Sequence, residues 1–231
     1  MLTVALTGGI GSGKTAVTEI FHQLGSESDY QDSVKIIDAD IIARNLLAGS
    51  LYTSPSEALK KVYKLFGSDL FNISTEQGDD HGDGQLDRAK LRALIFSSET
   101  RKKQLETILH PLVYDEIFSQ INTLKKESPG KNKQQTRIVI VAIPLLFETH
   151  SEDRFDRVLV IDLPVELQIR RSMQRDNCSR ELVEQIINSQ VDRQTRLSQA
   201  NDVIDNSTTP AELNKQVEKL FQYYQQLSRS A

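Results

Sequence analysis

The sequence predicts an α/β fold, a parallel sheet flanked by helices. Three observations carry this. Short runs rich in Val, Ile and Leu alternate with longer stretches of helical periodicity, the pattern of a sheet covered on both faces. The first apolar run stops at a Gly-rich turn that opens directly into a helix. The 231 residues, 38% apolar and 26% charged, suit one globular core with appended pieces.

Leu2 to Leu6 reads as the first buried strand, ending at Gly8-Gly9. Thr15 to Leu24 reads as a helix closed by Gly25. Val34 to Ile37, Arg137 to Ile143, Arg157 to Ile161 and a short Asp202 to Ile204 are the further strands. Helical patterns run from Leu91 to Ile95, Leu105 to Leu109, Leu112 to Ile121, Leu167 to Met173, Leu182 to Val191 and Leu213 to Leu227. Residues 55–136 show no core strand and read as a helical insertion, one wall of a substrate cleft. The core is then 1–54 and 137–231. Three polar segments, Ser26 to Ser33, Thr75 to Gln85 and Lys126 to Thr136, read as surface loops. The middle one carries Asp79, Asp80 and Asp83 among glycines. It lacks the EF-hand spacing and the closing Glu, so a solvated loop is the expectation.

Charge and composition exclude some functions. A net charge of −4 argues against nucleic acid as a partner. The longest apolar run, Ile138 to Phe147, is about half of what crosses a bilayer, so no membrane span is expected. Met1 to Thr7 has no basic stretch and does not read as a signal peptide. The single cysteine, Cys178, excludes an internal disulfide and reads as an ordinary thiol. The expected compartment is the cytoplasm, although a reducing organelle fits the same observations.

The Gly-rich turn is the most informative segment. Gly8-Gly9-Ile10-Gly11-Ser12-Gly13-Lys14-Thr15 matches G-x-x-x-x-G-K-[ST], the P-loop, with a strand before it and a helix after it. A chance match in a chain of this length is on the order of 1%. Glycines let the backbone turn and bring N–H groups against phosphate oxygens. Lys14 places a point charge at the β- and γ-phosphates. Thr15 offers a hydroxyl to Mg²⁺. The following helix turns its positive end to the anion. The predicted ATP-binding residues are Gly9, Ile10, Gly11, Ser12, Gly13, Lys14, Thr15 and Ala16, joined by Arg171. The predicted fold is therefore a P-loop NTPase core with a helical insertion and a lid.

Asp38-Ala39-Asp40 follows the second strand, at the carboxyl end where ligands sit in open α/β sheets. In an extended chain both carboxylates project alike. If a helix starts near Asp38, that residue caps it and Asp40 turns to the cleft, able to orient an attacking hydroxyl or hold a water of the Mg²⁺ shell. Arg44 lies one helical turn on. A cap plus a surface ion pair is the structural alternative.

Between Arg170 and Arg196 stand Arg170, Arg171, Arg175, Arg180, Arg193 and Arg196, with no lysine, although the two types are equally common in the chain. Arginine is preferred where a rigid fork grips phosphate. Arg171 and Arg175 share one helix face, Arg193 and Arg196 another. Two helices joined near Asn177 to Ser179 make a lid within about 168–197 that excludes water from the γ-phosphate. Arg175 and Arg171 are the strongest candidates. A solvated hairpin paired with Glu181, Glu184 and Asp192 is the alternative.

These residues together resemble the dephospho-CoA kinase family. The resemblance is carried by Leu6 to Thr15, Ile37 to Arg44, Leu86-Asp87-Arg88, His110-Pro111-Leu112, Pro144 to Glu148, Gln174-Arg175-Asp176, Ser189-Gln190 and Ala200 to Asn206. It implies transfer of the ATP γ-phosphate to the ribose 3′-hydroxyl of dephospho-CoA, giving coenzyme A, with Mg²⁺ as cofactor. It implies Asp40 as the residue that engages that hydroxyl, as base or orienting group. The predicted catalytic residues are Asp40, Lys14 and Arg175, and the predicted substrate-binding ones are Asp40, Arg44 and His110, the last in a role that the resemblance does not fix. His110, before Pro111, reads by itself as a structural histidine. The expected assembly is a monomer or weak homo-oligomer. Relative to the family, the three polar loops are extended and Ala142-Ile143 precedes Pro144 where one more Val is common. Another small-metabolite or nucleotide kinase of this architecture is the first alternative. A P-loop switch would carry Asn-Lys-x-Asp, which the sequence lacks.

Overall fold

The computed structural model describes residues 1–26, 33–73, 83–126 and 137–230. Most of the three polar loops, with Asp79 and Asp80, lies outside the described residues. The expected strands all form: β1 (Leu2–Thr7), β2 (Val34–Asp38), β3 (Ile138–Ala142), β4 (Arg157–Asp162) and β5 (Asp202–Asp205). They make one parallel sheet in the order β2-β3-β1-β4-β5. Every residue of β1 and β3 is buried, as central parallel strands require.

The chain divides into two compact units, Met1–Asp38 with Ile121–Ala231, and Ala39–Gln120. In the first unit, alternate strand residues Leu2, Val4 and Leu6, Ile138 and Ile140, and Leu159 and Ile161 share a core. Val17 and Phe21 of helix α1 (Lys14–Ser26) and Val217, Phe221 and Tyr224 of a C-terminal helix, Pro210–Ser230, join them. The period of two on strands and three to four on helices follows from where Cβ atoms point. Each such buried side chain contributes about 1.5–3 kcal/mol.

The second unit holds α2 (Ala39–Leu46), α3 (Glu57–Phe66), α4 (Arg88–Ser97) and most of α5 (Glu99–Lys126). Ser56 caps α3 by accepting from Leu59 N at 3.1 Å, and Asp87 caps α4 by accepting from Ala89 N and Lys90 N. Leu59, Val62, Leu70, Phe71, Leu86, Leu91 and Leu105 form its own core. The cluster begins at Ala39, where the sequence places the insertion at 55.

Three expectations need correction. Gly25 does not end α1. It lies within the helix, whose described residues run to Ser26, and a Cβ at Gly25 would come within 2.6 Å of Val34 Cβ, so the glycine serves close packing. Pro111 does not divide two helices. α5 runs through it, with Pro111 exposed, so the lost N–H bond is offset by the packing of Val113, Tyr114 and Ile117 on the same helix. The helical pattern from Leu182 to Val191 forms as α7 (Arg180–Asn188), so Val191 lies beyond its end. Cys178 is a half-buried free thiol.

Candidate active site

β1 ends at Thr7 and α1 begins at Lys14, so the P-loop occupies the carboxyl end of a central strand. Gly11 and Gly13 have φ of 69° and 92°, the left-handed region that favours glycine. Contact demands glycine as well. A Cβ on Gly13 would lie 2.2 Å from Asn206 Nδ2, and one on Gly9 would lie 2.4 Å from Gln168 Oε1. Asn206 Nδ2 donates to Ser12 O at 2.7 Å, and Ser12 N donates to Gly9 O at 3.2 Å. Lys14 Nζ donates to Gly8 O at 2.8 Å and Gly9 O at 3.2 Å, which places its ammonium over the first turn of the loop. Thr15 and Ala16 are exposed in the first turn of α1, where the helix presents its positive end. The buried hydroxyls of Ser12 and Ser172 have no hydrogen-bond partner among the described residues.

One wall against this loop is α6 (Val165–Asp176). Gln168 is buried and donates to Leu163 O at 2.8 Å. Ser172 Oγ would lie 2.7 Å from a Cβ on Gly11. Arg171 Nη2 donates to Asn206 O at 3.0 Å, and so joins the residue that holds Ser12. Arg175 is exposed at the end of α6 and grips neighbouring Asp176 through both nitrogens of its fork, at 2.8 and 2.7 Å. That contact raises the Arg175 pKa and lowers that of Asp176. Helical spacing predicted one face for Arg171 and Arg175, yet the two make different contacts.

The predicted pair of helices joined near Asn177 to Ser179 is present. Asn177 ends α6 with φ 48° and Ser179 caps α7 by accepting from Leu182 N at 3.3 Å. The acids that pair with its arginines are largely not those expected. Arg180 binds Glu166 and Glu184 at 2.7 Å each, and Arg193 grips Asp162 through two contacts of 2.7 Å. Glu181 and Asp192 serve helix starts: Asp192 accepts from Thr195 N at 2.9 Å and caps α8 (Arg193–Ser198), and a hydrogen bond from its own backbone N–H, then one from Ser179, lowers the Glu181 pKa. Arg196 is buried, donates to Val191 O at 2.6 Å, and is pulled below its ordinary pKa chiefly by burial. Ile10 N donates to Gln190 Oε1 at 3.1 Å.

The remaining predicted residues belong to the second unit. Asp40 is exposed in the first turn of α2, two residues past the end of β2. Asp38 and Asp40 are therefore not two positions of one extended strand; the helix starts between them. Arg44 is exposed in the last turn of α2, and its carbonyl accepts from Arg88 Nη2 at 3.2 Å. His110 is half-buried within α5.

Gln190 and Asn206 stand in the segments that carry the family resemblance but have no role predicted from sequence, and Gln168 and Ser172 belong to no motif. The signal was weak. Their partners in the P-loop lie 180 and 194 residues away for Gln190 and Asn206.

Comparison with known proteins agrees with the fold. The family model for dephospho-CoA kinase matches residues 2–212. A dephospho-CoA kinase of Sodalis glossinidius is 39% identical over 99% of this chain and 94% of its own length. One from Escherichia coli K12 is 38% identical over 97% of this chain and 94% of its own. Among solved structures, dephospho-CoA kinase from Campylobacter jejuni has a TM-score of 0.64 at 28% identity, covering 99% of this chain and 98% of that one.

Proposed function

The chain belongs to the dephospho-CoA kinase family, and from that premise we propose that it transfers the γ-phosphate of ATP to the ribose 3′-hydroxyl of dephospho-CoA, forming coenzyme A and ADP in the last step of CoA biosynthesis. The observation that carries this is the P-loop cradle with Lys14 folded over its Gly8 and Gly9 carbonyls. The loop from Gly9 to Ala16 surrounds the phosphates and donates to them with its backbone amides other than that of Ile10, which Gln190 takes up, and Lys14 reaches the β- and γ-oxygens while keeping its contact with those carbonyls. Arg171, already bonded to the residue that fixes Ser12, and Arg175 neutralise charge on the transferring group.

Asp40 accepts the hydrogen bond of the 3′-hydroxyl. The hydroxyl oxygen bonds to the γ-phosphorus as the β–γ bridging bond breaks, ADP leaves, and the proton passes to Asp40 or to solvent. Arg44 and His110 hold the acceptor. The helical unit is the acceptor side, and the α6–α7 hairpin is the lid.

The donor set suits magnesium. Thr15 exposes a hard hydroxyl oxygen at the helix start, and a shell completed by phosphate oxygens and water needs few protein ligands. When bound, the ion neutralises charge on the β- and γ-phosphates. No helix among the described residues is long and apolar enough to cross a membrane. The proposed site of action is the cytoplasm, as a monomer or weak homo-oligomer.

The test is coupled ADP release from ATP and magnesium, with and without dephospho-CoA. Release is expected only with the acceptor, together with phosphorylated product. Lys14→Ala lowers turnover by more than about 100-fold with the fold intact. Asp40→Asn lowers it about 10²–10⁴-fold with nearly unchanged acceptor affinity. Acceptor-independent release, or dephospho-CoA that gains no phosphate, rejects the assignment.

A further inference from the structure

The hydrogen bonds of Lys14 and Gln190 meet on one peptide group. Lys14 Nζ donates to the carbonyl of Gly9 at 3.2 Å. The N–H of the same peptide, that of Ile10, donates to Gln190 Oε1 at 3.1 Å. The series runs from ammonium through peptide to side-chain amide. A charged donor at one end polarises the peptide and strengthens the bond at the other.

Gln190 is itself held on both sides. Its own N–H donates to Ile187 O at 3.1 Å, at the end of α7. Val191 N donates to Glu148 Oε1 at 2.9 Å, Arg196 donates to Val191 O, and Arg193 grips Asp162 at the end of β4. The backbone on either side of Gln190 is thus tied to α7 and to the sheet-side residues Glu148 and Asp162. This leaves the side chain as a strut between that segment and the P-loop. A P-loop amide is ordinarily a phosphate ligand, so a side chain that claims one sets how the loop is turned.

We propose that Gln190 is a positioning residue for Lys14. By holding the Ile10 N–H, it orients the Gly9–Ile10 peptide so that its carbonyl keeps the Lys14 ammonium at the mouth of the loop, where the terminal phosphates of ATP arrive. The inference rests on the proposed kinase reading for the identity of the nucleotide, but not for that of the acceptor.

The experiment is a double-mutant cycle read by ATP binding in the presence of magnesium and the absence of dephospho-CoA. The proteins are the full-length wild type, Gln190→Leu, Lys14→Ala and the double variant. Leucine keeps the bulk of the side chain and removes the acceptor. Gln190→Leu is expected to weaken ATP binding about 10-fold when Lys14 is present and less than about 2-fold when it is alanine, because a residue acting through Lys14 has nothing left to position. Melting temperature is recorded for all four. If leucine unfolds the protein, Gln190→Asn, whose amide is one methylene too short to reach Ile10, takes its place with the same expectations. Equal loss in both backgrounds makes Gln190 a general support of the loop and overturns the proposal, as does unchanged binding in the first background. A failed acceptor assignment would appear only in the turnover assay, so the two failures are distinguishable.

Discussion

Gly13 carries two constraints at once. Its φ of 92° strains any other residue, and a Cβ there would meet Asn206 Nδ2 at 2.2 Å. Gly13→Ala should therefore cost about 1–3 kcal/mol of stability and weaken ADP binding more than about 10-fold, measured by thermal melting and nucleotide titration. The P-loop motif was legible because its residues are neighbours in sequence. The parts that hold it were not. Asn206 reaches Ser12 across 194 residues and Gln190 reaches Ile10 across 180, distances no local pattern registers. The arginines show the same limit. Clustering marked the segment, but only the fold decided that Arg171 meets Asn206, Arg193 meets Asp162 and Arg196 is buried.

Among the elements, the C-terminal helix Pro210–Ser230, α9, shows how one side chain joins several. Tyr224 is fully buried, stacks on Phe21 with centroids 6.1 Å apart, and donates its hydroxyl to Asp202 Oδ2 at 2.7 Å. Asp202 also binds Arg157 at 2.7 Å. Burial, then the Asp202 charge and hydrogen bond, push the Tyr224 pKa up. The sign follows. Below the ordinary value of about 10 the phenol is neutral in both states and its contribution is whole. Above it the unfolded chain releases the proton and the folded one does not, so stability falls as pH rises. Urea unfolding at pH 8 and pH 11 should show this loss, and Tyr224→Phe should remove its share at the cost of about 0.5–1.5 kcal/mol at neutral pH. Periodicity located α9 well because its apolar face repeats at helical spacing. It failed at Pro111 and Gly25, where a residue that usually ends helices is tolerated inside one by packing that the sequence does not display.

At the scale of the whole molecule, the two units have separate cores, one around the sheet and one around Leu59, Val62 and Phe71. Leu59 is fully buried, so Leu59→Ala should cost about 2–5 kcal/mol. Hydrogen exchange should show the loss of protection concentrated in residues 39–120, with the P-loop still protected and ADP still bound. The sequence by itself determined the α/β class, the five strands, the P-loop and the acid that follows β2, because each is written in residues close together, where backbone preference and side-chain period act directly. Only the tertiary structure decided the order β2-β3-β1-β4-β5, the start of the helical unit at Ala39, and which glutamine, asparagine and arginine side chains brace the loop. Those depend on contacts between segments far apart in the chain, selected by the packing of the whole.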